Sequence, residues 1–320
     1  MAHDHMPAGR MNPPEAAEIT KQTVLISVTV ASILIGLKLW AWFVSGSVSV
    51  LASLADSGLD MAASLVTLGA VIYAAVPPDA DHRYGHGKAE GFAALMQAGL
   101  VGASSALIAR EAFDRFFDPR PMEEGVIPIV VMLISIGLTL GLIYFQTRAL
   151  KKTGSIATAG DRAHYMADLG ANVAVIIGVA GASFLKIPLI DPIIGLGVAI
   201  WLAFGALDVA KEAFNQLMDR ELSDEARARI IELAQGDSKE WFVHDLRTRS
   251  AGPIIHIQFH LDLPNTSSLA EAHDIMVECE KRILSEFPGA DILIHPDPKD
   301  AVPHGTDFFK SMRQEIAPDT

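Results

Sequence analysis

Between Thr23 and Phe214 the chain is a succession of long apolar runs, and this narrows its possible folds more than any other feature. Six segments, 23–44, 48–76, 90–116, 126–150, 155–185 and 188–214, reach the ~17–25 residues a helix needs to cross bilayer hydrocarbon. Backbone polar groups find no water at that depth, so such runs must be helices. Mean hydropathy is +0.32 and half of all residues are hydrophobic, yet 20% are charged. The mixture resolves once the charges are seen to gather after Asp219, outside the apolar region. An even number of spans puts both termini on one side. Arg83, Lys88, Arg148, Lys151 and Lys152 flank the second and fourth runs, which predicts that these loops, both termini and the C-terminal region are cytoplasmic. The start, MAHDHMPAGRMNPPEAAEITK, has no apolar core, so no cleavable signal peptide is expected. Residues 1–20, with His3 and His5, read as a disordered segment ahead of a membrane domain over 21–216.

Two of the runs carry polar residues that lipid should exclude. LASLADSGLDMAASLVTLGAVIY holds Asp56 and Asp60, and AGDRAHYMADLGANVAVIIGVAG holds His164 and Asp168, each pair at i,i+4. Residues four apart share a helix face, so each pair can aim two ligand atoms at one point, and two helices can supply four. Three carboxylates and an imidazole suit a tetrahedral divalent cation such as Zn2+, and the imidazole disfavours Mg2+ and Ca2+. Ionisable groups at membrane depth mark an ion pathway. No intramembrane base is expected beside the three acids: Lys38 is read as snorkelling or pairing, and it and Gln97 as less telling than the acids. A formal charge of −13 speaks against a nucleic-acid partner and suits a cation handler. One cysteine, Cys279, excludes a disulfide or a thiolate cluster and reads as a small buried helix residue.

After the second run, PPDADHRYGHGKAE places Asp79, His82 and His86 within eight residues of loop, enough to close on one ion, with Asp81 as a substitute ligand. From 217 to 300 the composition changes to that of an α+β domain in the order α-β-β-α-β, followed by a flexible tail over 301–320. SDEARARIIELAQ is a helix capped by Ser223, and WFVHDLRTRSAGPIIHIQFHLDL is a hairpin. SSLAEAHDIMVECEKRILSEF is an amphipathic helix, and ADILIHPDP a closing strand. Helices on one face of a small sheet make a modest core that a second copy would help to cover. His244, His260, His273, His295 and Asp297 form a third group of ligand types, while His256 has no assigned role. Pro296 should weaken the last strand by removing an N–H.

These motifs together (DSGLD, DADHRYGHGKAE, HYMAD, LDRELSDE, HDLRTRSAGP and IHPDP, from about residue 20 to about 300) resemble those of the cation diffusion facilitator family, in its bacterial zinc and ferrous-iron efflux branch. The resemblance implies six transmembrane helices with a metallochaperone-like cytoplasmic domain, a homodimer in the bacterial inner membrane, and alternating access. It implies proton-coupled antiport of Zn2+, with Cd2+ and Fe2+ as further cargo, and no enzymatic activity. It places the transport site at Asp56, Asp60, His164 and Asp168, and a second, exposed site at Asp79, His82 and His86. It gives the tail group two ions bridged by Asp297, and makes Lys88 and Asp219 a charge interlock holding the dimer. Metal binding needs neutral imidazole and deprotonated carboxylates, so metal entry expels protons by the same chemistry. Two other classes were weighed: a membrane metalloenzyme, which would need a nucleophile motif and an open ligand position, and a membrane-anchored metal sensor or scaffold, which has no use for intramembrane ligands.

Overall fold

The computed structural model describes residues 9–45, 48–117, 126–185, 190–238 and 240–299. Six long helices come first: α1 (Pro13–Ser45), α2 (Val48–Ala74), α3 (Ala89–Phe117), α4 (Val126–Thr153), α5 (Ile156–Leu185) and α6 (Ile190–Leu217). Five of them, α1 to α4 and α6, are long and apolar enough to cross a membrane. The remaining helix, α5, spans 30 residues but carries Asp161, Arg162, His164 and Asp168 in its first half. It packs against α3, α4 and α6. Trp40, Phe43, Leu107, Phe204 and Leu207 are exposed, whereas Ser27, Ser64, Thr67, Gln97, Gln146 and Asp161 are buried. This apolar-outside, polar-inside arrangement is the one a bilayer selects.

Helix α1 starts earlier than the sequence suggested. Residues 13–20 are its first turns rather than part of a disordered segment, and Ala16 and Thr20 are buried. The reason is local: Pro13 and Pro14 sit where helix N–H groups would be unpaired anyway, and Glu15 complements the helix dipole. Ahead of it, the Gly289 amide donates to the Gly9 carbonyl at 2.9 Å, and the Arg10 guanidinium lies over the Phe287 ring. The chain just before the first span therefore rests on the C-terminal domain. His3, His5 and the tail expected over 301–320 lie outside the described residues.

The C-terminal domain follows as α7 (Asp224–Gln235), β1 (Phe242–Ala251), β2 (Ile254–Leu263), α8 (Leu269–Glu286) and β3 (Ala290–Pro298). Ser223 caps α7 by accepting from the Ala226 amide, and Ser268 with Glu271 forms a full capping box on α8. The sheet order is β1-β2-β3; β1 runs antiparallel to β2, and β3 parallel to β2 through the α8 crossover. Ile255, Ile257, Phe259, Leu261 and Leu263 alternate onto one sheet face, where they meet Ile230 and Ala234 of α7 and Ala272, Cys279 and Ile283 of α8. Full burial of each large side chain contributes about 1.5–3 kcal/mol, so this face carries the domain's stability. Cys279 is buried, as expected, and its thiol donates to the Ala234 carbonyl. The other face, with His256, Gln258, His260 and Asp262, is left for chemistry. Pro296 does not interrupt β3: it lies on the sheet's edge strand, opposite Leu261, and the pairing continues to Pro298. An edge strand has one unpaired row, where a missing N–H costs nothing.

The α2–α3 loop docks on the β1–β2 turn. Gly87 meets this turn so closely that a β-carbon there would collide with the Ala251 carbonyl, and Gly252 turns the hairpin at φ 61°. Replacing Gly87 with alanine must therefore push the loop off the domain. Hydrogen–deuterium exchange of the full chain should show faster exchange over 250–256, with residues 257–263 unchanged. Unaltered exchange over 250–256 would contradict this docking.

Candidate metal centres

The first centre lies between α2 and α5. His164 Nε2 is 3.0 Å from Asp60 Oδ1 and 3.9 Å from Asp168 Oδ2. Ligand atoms of these three residues all fall within 4.8 Å of one another, and His164 is buried. The i,i+4 spacing on α5 explains why His164 and Asp168 share a face. Asp56 is not in this tight group. It lies one turn back along α2 and is exposed, so the structure gathers three of the four expected ligands.

A base does stand beside these acids, contrary to the expectation that none would, and of the two readings of Lys38 it is pairing that the structure shows. Lys38 of α1 donates to Ser57 Oγ at 2.6 Å and to the Ser53 carbonyl at 3.2 Å, one helical turn from Asp56 and Asp60. It does not snorkel, because α1 packs along α2 and the two serines offer it acceptors at depth. Its ammonium is within electrostatic reach of Asp56, Asp60 and Asp168. Gln97 likewise proves informative: it is fully buried and donates to Thr67 Oγ1 and to Asp161. Asp161 was missed altogether. It lies three residues before His164, a spacing that a search for i,i+4 pairs passes over, and it is 1% exposed.

The second centre is the α2–α3 loop. Asp79 Oδ1 accepts from the Asp81 and His82 amides at 2.9 and 2.6 Å, an Asx-type turn that folds the loop back on itself. His82 Nδ1 and His86 Nε2 stand 3.3 and 3.4 Å from the same carboxylate, and the three ligand atoms cluster within 4.8 Å. His86 is buried, and its Nδ1 is 3.2 Å from the Val76 carbonyl; a proton held there leaves Nε2 free to ligate. The His82 amide bond, foremost, holds the Asp79 carboxyl below the usual carboxylate range. It is therefore ionised at neutral pH, as a ligand must be. Asp81 is exposed and outside the triad, contributing through its backbone.

The third centre lies on the open face of the C-terminal sheet. His244 on β1 pairs with His260 on β2, and His260 with His295 on β3, so three histidines stand side by side across the strands. Asp297 Oδ2 is 2.7 Å from His260 Nδ1 and 3.5 Å from His244 Nε2, while its Oδ1 is 3.3 Å from His295 Nε2. Its two oxygens thus face different histidines. Burial opposes the charge on Asp297, but the His260 hydrogen bond and the surrounding imidazoles hold its pKa below the ordinary value. His244, His260 and Asp297 form the compact triad. His295 is exposed at the edge, and His273 stands exposed on α8, outside the triad. Two further acids were not foreseen. Asp245 occupies a bulge between His244 and Arg247 at φ 50°, 3.6 Å from His260, and Asp262 lies 3.2 Å from His244. Asp262 was readable by strand alternation from His260, whereas the bulge that turns Asp245 inward has no such signal.

His256 belongs to none of these. It is buried beneath the α2–α3 loop, 2.9 Å from Asp291, with the Tyr84 ring edge-on at 5.3 Å. Lys88 and Asp219 do pair, at 2.9 Å, and Arg249 adds a second contact to Asp219 at 3.3 Å. Lys88 also donates to the Leu217 carbonyl, so the start of α3 is tied to the end of α6 within one chain.

Comparison with known proteins agrees with this geometry. Residues 24–218 match the cation efflux transmembrane domain, and residues 222–299 match the cytoplasmic domain of cation efflux proteins. The cation-efflux pump FieF of Yersinia enterocolitica is 39% identical over 290 residues, covering 91% of this chain and 96% of its own. That of Cronobacter sakazakii is 37% identical over 285 residues, covering 89% and 95%. That of Serratia proteamaculans is 37% identical over 292 residues, covering 91% and 97%.

Proposed function

The chain belongs to the cation diffusion facilitator (cation efflux) family of multi-pass membrane transporters, and from that premise we propose that it exports Zn2+ from the cytoplasm in exchange for protons. The observation that carries this reading is the group of Asp60, His164 and Asp168, with the imidazole buried, between two membrane helices. Two carboxylates and an imidazole leave room for a fourth ligand, which Asp56 supplies after a modest turn of α2. An imidazole in the set favours Zn2+, with Cd2+ and Fe2+ as lesser cargo, over the oxygen-preferring Mg2+ and Ca2+.

Proton exchange follows from the same atoms. The His164 ring nitrogen that would bind the ion faces Asp60 at 3.0 Å, a contact that a shared proton stabilises. Zn2+ needs that nitrogen and both carboxylates deprotonated, so loading releases protons and protonation releases metal. Lys38 lies within electrostatic reach of these acids and competes with the ion for them, which favours release over tight capture. The protein works as a homodimer in the bacterial inner membrane with both termini in the cytoplasm, and the likeness of its tail to the cytoplasmic domain of cation efflux proteins supports that placement. The tail's histidine and aspartate cluster would hold zinc that stabilises or regulates the dimer, and the loop cluster would hold one further ion. The Lys88–Asp219 pair fixes the start of α3 to the end of α6 and would steady the dimer from there; as a half-exposed ion pair it is worth only about 0–1 kcal/mol, so its part is positional.

Purified protein in liposomes loaded with a zinc-sensitive dye tests the reading. Dye signal that rises with external zinc, and not in protein-free liposomes, is the expected result. Zinc binding without any entry would contradict transport and leave a membrane-anchored sensor.

A further inference from the structure

One carboxylate in the membrane domain is used by no step above. Asp161 of α5 accepts hydrogen bonds from one residue on each of four other helices. Ser27 of α1 donates at 2.6 Å and Gln146 of α4 at 2.9 Å to one oxygen; Ser64 of α2 at 3.4 Å and Gln97 of α3 at 3.5 Å reach the other. All four donors are buried. Both glutamines give their NH2 to this region and leave their own Oε1 buried without a hydrogen-bond partner. An unpaired buried acceptor is costly, so the amides are oriented by the carboxylate rather than by their own needs. One turn on, Tyr165 is pinned to the same helices: its hydroxyl donates to the Ser27 carbonyl at 3.3 Å and lies 3.1 Å from Ser64 Oγ.

We propose that Asp161 is a positioning residue for metal binding: with Tyr165 it fixes the rotation of α5 so that His164, between them in sequence, meets Asp60 of α2. Asp161 and Tyr165 are four apart and share a face. They bond to α1 and α2 together, so α5 cannot turn about its axis without breaking contacts on both. His164 is thereby held with its Nε2 at 3.0 Å from Asp60. Five helices meeting at one carboxylate also form a buried network that is stable only when fully made, which suits a part that fixes one arrangement.

The inference rests on the transport reading, and the test separates the two. Zinc flux into dye-loaded liposomes is measured over a range of zinc concentrations for wild type, Asp161→Ala, Asp161→Asn, and the milder Ser27→Ala. Asp161→Ala should raise the half-saturating zinc concentration about tenfold, as loss of a residue that orients a ligand does. Asp161→Asn should stay within about threefold of wild type. Its amide can donate to the free Oε1 of Gln97 or Gln146 and keep the junction. Ser27→Ala should shift half-saturation in the same direction by less, and serves if Asp161→Ala does not fold. A merely structural role would lower the maximum flux and leave half-saturation unchanged, which would overturn the proposal, as would Asp161→Asn behaving like Asp161→Ala. If wild type carries no zinc, the transport reading fails by itself, and zinc titration of the purified proteins still reads whether Asp161→Ala weakens binding.

Discussion

Replacing Asp60 with alanine is expected to lower zinc flux by about 100-fold or more while leaving metal binding by the C-terminal domain intact. Asp60 contributes twice at the membrane centre. It is one of three groups whose ligand atoms cluster there, and it is the hydrogen-bond partner of His164. Loss of a group that only orients a ligand already costs roughly 10–100-fold, so losing a ligand and an orienting partner together should exceed that range. The substitution also leaves Lys38 facing fewer acids, which adds repulsion toward an incoming cation. Flux is read in dye-loaded liposomes and tail binding by zinc titration of the same preparation. Flux within tenfold of wild type would mean that the ion does not pass between α2 and α5.

The second large effect concerns which ion is carried. His164→Asp turns the centre into an all-oxygen site, and the Zn2+ preference over Mn2+ should fall by about tenfold or more. Nitrogen ligands favour Zn2+, whereas carboxylate oxygens suit harder ions such as Mn2+. The change is isolated to one ligand, because the neighbouring Tyr165 and Asp161 contacts that hold α5 do not involve the imidazole. Competition flux with both ions present is the measurement. An unchanged preference would place selectivity elsewhere than at this imidazole.

Much of this architecture was legible in the sequence because membrane helices announce themselves by length and the small domain by its caps and alternation. Ser223 begins α7 as its residue type suggested, and the hairpin turns at Gly252-Pro253. The i,i+4 rule found His164 and Asp168, since helix geometry alone puts them on one face. What stayed hidden depends on how helices pack. Gln97, Gln146 and Ser27 are ordinary polar residues in apolar runs until α1, α3 and α4 are seen to converge on Asp161, and Lys38 is one until α1 is seen to lie along Ser53 and Ser57 of α2. Asp56 passed the spacing rule yet lies outside the tight group, because spacing fixes a face and not the distance to the neighbouring helix. Asp245 escaped because a bulge, which strict alternation does not anticipate, turns it toward His260. Pro296 was judged by composition, without knowing that β3 would be an edge strand.

The central claim is coupled exchange at one site, and zinc flux under an imposed pH gradient tests it most directly. Liposomes bearing wild-type protein or Asp60→Ala are given equal zinc with and without a pH difference across the membrane. The account predicts that an acidic interior drives zinc uptake in wild type, that the internal pH rises as zinc enters, and that Asp60→Ala shows neither. Wild-type zinc flux indifferent to the gradient, with no proton movement, would contradict it.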